Sequence, residues 1–220
     1  RQPIFLILLL AACALIGTLP GATLFVFREQ VKLVTDSGMA TTLLFGLIAS
    51  VLCAGHTVGA ELRAGTALLL LSKPVNRNLF VAAKIAGVLG AIAIFWYLCA
   101  TSTLLAVRVA TDQFRIDTRV LMGFFAALAV GCAYGGVRNY VSRASFCAEA
   151  VFGLIGAVTI GAAIAIFLPA SGGGTPPGFA WELLPALVLL LEAVLVFAAL
   201  AVALSTRLDW TGTLDRKSVV

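Results

Sequence analysis

Six long blocks of mostly apolar residues leave this chain few ways to fold. They cover residues 4–27, 39–58, 79–107, 120–141, 146–168 and 182–204, and each is long enough to cross a bilayer, which takes ~20 residues as a helix. Hydrocarbon offers no partner to a free amide or carbonyl, so only an element that satisfies its own backbone can sit there. Helices do so and isolated strands do not. Composition points to the same solvent: 61% of residues are apolar and 11% are charged, where a soluble domain has ~25% charged. The sequence therefore predicts an all-α, polytopic membrane protein of about six transmembrane helices, with a membrane domain over 1–204 and a tail over 205–220.

The first block is too long for the ~7–15 apolar residues of a signal-peptide core, and Arg1 is its only basic flank, so it reads as a retained span. The chain starts on Arg1 and not on Met, and further residues are expected before it. Cys13, Cys53, Cys99, Cys132 and Cys147 fall in or beside five different blocks. That is the distribution of small packing residues and not of a disulfide framework.

An even number of crossings puts both termini on one side, and Lys/Arg counts choose the side. With both termini cytoplasmic, Arg1, Arg63, Lys73, Arg77, Lys84, Arg138, Arg143, Arg207, Arg216 and Lys217 lie inside. Arg28, Lys32, Arg108, Arg115 and Arg119 then lie outside, so ten of the 15 basic residues are internal. The net charge of +5 is spread over loops and not gathered with aromatics on one face, which suits anchoring to anionic lipid and argues against nucleic acid. Residues 169–181 (PASGGGTPPGFAW) are uncharged and read as an outer loop or re-entrant turn, with Trp181 at the interface.

Chemistry concentrates between the second and third blocks, in GAELRAGTALLLLSKPVNRNLFVAAK (59–84). Residues 60–71 read as a short helix charged at its start by Glu61 and Arg63. Pro74 ends it, having no amide to donate, and Asn76 or Asn78 can cap the next helix. Such an element can lie in the interface or enter a groove on a soluble partner.

Glu61, Arg63, Gly65, Thr66, Leu70, Ser72, Pro74, Val75, Arg77, Phe80 and Lys84 resemble the E-x-R-x-G-T … L-x-S-x-P-V-x-R-x-x-F … K segment of ABC-2 type exporter permeases. The resemblance implies a permease subunit in a bacterial inner membrane, paired with a second copy or a homologous permease above cytoplasmic ABC ATPases. It implies that 59–78 is the coupling segment that docks on the ATPase, through Glu61, Leu62, Arg63, Gly65, Thr66, Leu70, Ser72, Pro74 and Arg77. No G-x-x-x-x-G-K-[ST] pattern occurs, so ATP and Mg are expected in a separate subunit and this chain is expected to be no enzyme. The family's amphipathic elbow before the first crossing is missing and the last outer loop is short; neither feature points to a substrate.

Four smaller features remain. Glu192 sits in the middle of the sixth block, where a carboxylate costs ~2.5–3.5 kcal/mol. It either faces a pathway or subunit interface, or is protonated or hydrogen-bonded inside the bundle. Arg138 and Arg143 in GGVRNYVSRASF anchor the turn between the fourth and fifth blocks, or make a second ATPase contact. Cys53 and His56 share a helix face, but two ligands make no metal site and His56 is the only histidine. Gly17 with Gly21, Gly55 with Gly59 and Gly131 with Gly135 have the spacing that lets helices approach closely, read first as packing within the chain. The competing functional reading is a non-transport scaffold or assembly subunit that binds proteins through 59–84. A channel or secondary transporter fits less well, because apart from Glu192 the blocks lack charged or broken interiors.

Overall fold

The computed structural model describes residues 3–23, 29–64, 77–110, 117–167 and 180–207; within these, the side chains of 56–64, 77–81, 84 and 205–207 are not described. The described residues form helices and no strand: α1 (Pro3–Ala22), α2 (Gln30–Ala64), α3 (Arg77–Ala110), α4 (Thr118–Ser142), α5 (Phe146–Phe167), a single 3₁₀ turn (Trp181–Leu183) and α6 (Leu184–Arg207). All six α-helices are long and apolar enough to cross a membrane. The chain is an all-α polytopic membrane protein, as its apolar blocks predict.

Two of the predicted boundaries are corrected. Residues 30–38, read as outer loop, are the first turns of α2. QVKLVTDSG contains no residue that stops a helix before Gly38, and Thr35 and Thr41 turn their hydroxyls back to the carbonyls of Val31 and Ser37 at 2.8 and 2.7 Å. Polarity had suggested a loop, yet a helix leaving hydrocarbon ends where the backbone is broken. At the other end, Ala60–Ala64 continue α2 and do not start a separate helix; the remainder of the short helix expected there, 65–71, lies outside the described residues. The third helix starts at Arg77, which places Asn78 within the first turn and not at its cap.

By packing, the chain divides into two units: residues 1–45 with 95–190, and residues 46–94 with 191–220. The division passes through α2, α3 and α6. In the first unit, α1 buries Leu6, Leu9, Ala12, Cys13, Ile16 and Pro20, α4 buries Val120, Phe124, Ala127, Leu128, Gly131 and Gly135, and α5 buries Ala150, Leu154, Val158, Ala162 and Ala165. Each set recurs every three or four residues and so forms one stripe. Lipid is as apolar as leucine, so close fit and not water exclusion must hold these stripes together. Phe5 meets Phe95 edge-on with ring centroids 6.0 Å apart, and the Trp96 indole donates to the Leu187 carbonyl at 2.8 Å. In the second unit, Ala49, Cys53 and Ala54 of α2, Val88 and Ile92 of α3 and Val194 and Ala198 of α6 are buried. Gly46 of α2 faces Val194: a Cβ there would stand 3.2 Å from its methyl group.

The tightest pairing is α4 with α5. A Cβ on Gly131 would lie 2.8 Å from the Leu154 Cα, one on Gly135 2.7 Å from the Ala150 Cα, and one on Gly153 2.6 Å from the Gly131 carbonyl. The backbones touch where these glycines lie, as expected of small residues at membrane-helix crossings. Gly17 instead makes room for the Phe124 ring, whereas Gly21 and Gly55 face open space. None of the five cysteines forms a disulfide, and Cys13, Cys53 and Cys99 are buried.

Candidate functional site

The segment with the most sequence information begins at the end of α2. Glu61, Leu62 and Arg63 lie in that helix's last turn, and Arg77 opens α3. Gly65, Thr66, Leu70, Ser72, Pro74 and Val75 lie outside the described residues. The two helices that carry this segment are the longest among the described residues, at 35 and 34 residues. At ~1.5 Å per residue each runs ~50 Å, against ~30 Å of hydrocarbon and ~40–45 Å of whole bilayer. Their apolar blocks, 39–58 and 79–107, end beside the segment, and both helices continue past those ends, α2 to Ala64 and α3 from Arg77.

The turn between α4 and α5 is described in full. Arg143 closes α4 with left-handed backbone at φ 50°. The Asn139 side-chain amide spans the turn and donates to the Ala144 carbonyl at 2.7 Å. Arg138 lies one helical turn back; its Nε donates to a Glu149 carboxylate oxygen at 3.4 Å and its Nη1 to the Ser142 hydroxyl at 3.3 Å. The two arginines singled out together thus differ in position. Both are exposed, but Arg138 is tied across the hairpin to Glu149, a partner that the sequence alone does not identify, while Arg143 stands at the tip with Tyr140 and Val141, which are 89% and 72% exposed. An exposed aromatic at a helix end suits the membrane interface.

Glu192 lies in the middle of α6 and is exposed. Among the described residues no hydrogen bond or ion pair reaches it, so hydrogen bonding within the described bundle is not what accommodates it. Its neighbours Leu189, Val196 and Leu200, at helical spacing, are also more than half exposed, so the carboxylate sits on a face that the described residues do not cover.

At the opposite end of α4, Asp117 caps the helix, its carboxylate accepting from the Val120 amide at 3.5 Å. The cap was legible as Asp117-Thr118 ahead of an apolar run but was read as loop. Arg108, expected on the outer side one residue past the third block, is in the last turn of α3 and 5% exposed, where a cation complements the helix dipole. Among the described residues no group of three or more His, Cys, Asp or Glu side chains could hold a metal; the ring of His56 lies outside them. The chain matches no family model, no curated protein and no solved structure.

Proposed function

We propose that this chain is the permease subunit of an ABC transporter of the ABC-2 exporter type. It sits in a bacterial inner membrane with both termini cytoplasmic, beside a second copy or a homologous permease. Separate ATPase subunits bind ATP and Mg and dock on 59–78. The observation that carries the reading is the residue pattern from Glu61 to Arg77 at the junction of the two helices that outrun the bilayer. A conformational change in a soluble motor reaches a membrane pathway only through a stiff element. A continuous helix from the spanning part of α2 to Glu61 and Arg63 supplies one, and α3 returns from Arg77 in the same way.

The remaining features fit this assignment as supports. Arg143, left exposed by the hairpin that holds Arg138, is the candidate for a second contact. The uncovered face around Glu192 is where a second permease or the pathway between them would lie.

Co-purification tests the proposal. Tagged protein from its native membranes should bring down a polypeptide with a Walker A motif. Reversing both charges at Glu61→Lys and Arg63→Glu should lower recovery of that polypeptide tenfold or more, with membrane insertion unchanged. Recovery of no such polypeptide sinks the reading, and an ATPase that binds but is never stimulated by the permease favours a scaffold.

A further inference from the structure

Between α3, α4 and α5, within the first packing unit, lies an apolar cavity of about 120 Å³. Its walls include Leu105 of α3, Gly123, Phe124 and Ala127 of α4, and Val158 and Gly161 of α5. A Cβ on Gly123 would meet nothing within 4 Å, so the space exists partly because residue 123 has no side chain. Phe124 is fixed behind it: on its other side it fills the place a Cβ on Gly17 would take, 2.5 Å away. The wall cannot fall inward without opening a gap against α1.

Among the described lining residues Arg119 alone is charged; it is exposed and is the second residue of α4. From Arg119 to Ala127 the lining runs eight residues down the helix, ~12 Å at ~1.5 Å per residue. The cleft therefore begins at a helix end carrying a cation and descends along a membrane-spanning helix into apolar surroundings. Cavities of this size hold small apolar groups, a benzene ring in one of ~150 Å³, so it admits a stretch of hydrocarbon chain and not a whole lipid.

The geometry points to a binding site for one anionic phospholipid of the surrounding bilayer, its phosphate on Arg119 and part of one acyl chain in the cleft behind Gly123. The surrounding solvent supplies chains in this direction, and the lone cation selects among headgroups by charge. The site depends on membrane insertion and not on the permease reading.

Native mass spectrometry of the purified protein, titrated with dioleoylphosphatidylglycerol or dioleoylphosphatidylcholine, tests it. One phosphatidylglycerol should bind about fivefold more tightly than phosphatidylcholine, as one basic residue near a membrane surface provides. Arg119→Gln should bring that ratio to about one, and Arg119→Lys should keep it. Gly123→Leu, which fills open space, should weaken both lipids. Glycerophosphoglycerol, the headgroup without chains, should not compete. Equal binding of the two lipids to the unaltered protein overturns the site. So does a ratio that survives Arg119→Gln, full binding to Gly123→Leu, or competition by the free headgroup. Retained helical circular dichroism and an unchanged gel-filtration profile keep each loss attributable to the site.

Discussion

At the scale of single residues, glycine and arginine decide most of what this chain can do. Gly135 and Gly136 are neighbours on α4, yet a Cβ on Gly135 would stand 2.7 Å from Ala150 backbone while one on Gly136 would meet nothing. Backbone cannot move aside as a side-chain tip can, so Gly135→Ala must separate α4 from α5. We expect it to cost ~1–3 kcal/mol, the range for overpacking. Gly136→Ala should be neutral or slightly stabilising, since alanine is the better helix former. Unfolding in mixed detergent micelles measures both, and equal effects would show that the contact is not close. The G-x-x-x-G spacing is visible in the sequence, but not which glycines meet backbone: Gly135 lies against Ala150 backbone, Gly17 against the Phe124 ring and Gly21 against nothing. The bond of Arg138 to Glu149 was harder still. Eleven residues separate them, and their meeting depends on the hairpin register set by the glycines.

At the scale of elements, the six helices follow from apolar length, and their ends follow from backbone chemistry that apolar length does not report. The start of α2 shows the difference: 30–38 holds Lys32, Thr35, Asp36 and Ser37, a composition of loops, yet it is helix. Asp36 is exposed in the second turn, so proline there tests the backbone without disturbing a core. Asp36→Pro removes one amide and crowds the carbonyl four residues back, and should cost ~3 kcal/mol or more. Asp36→Ala should cost nothing. If the proline variant melts with the unaltered protein, 30–38 is not helical in the membrane. The candidate docking segment was legible in the opposite sense: its residues stood out by charge, proline and pattern. The length of the helices that carry it did not, since the apolar blocks stop at Val58 and resume at Leu79 while the helices run on to Ala64 and back from Arg77.

For the whole molecule, the consequence that matters most is which side of the membrane each end faces, because an ATPase can dock only on the side that holds ATP. Basic residues favour Glu61, Arg77 and the α4 to α5 turn inside. The position of Arg108 does not weaken that count, since a cation buried in the last turn of α3 lies at the end opposite Arg77. The fourth helix is a ruler for the test. Thr118, at the start of α4, and Ser145, in the turn past its end, are exposed; the 25 residues of α4 run ~37 Å, more than the ~30 Å of hydrocarbon, so they must lie at opposite membrane faces. Cysteine introduced at either position can be challenged with a membrane-impermeant maleimide; the unaltered protein provides the background, its own thiols lying within helices. In intact cells Thr118→Cys should label and Ser145→Cys should not rise above background, and permeabilisation should bring both to the same level. The reverse pattern would put Glu61 and Arg63 outside the cell, away from ATP, and would remove the docking function from this segment whatever its residues resemble. The lipid site at Arg119 would survive that reversal, because an anionic headgroup is available in either leaflet.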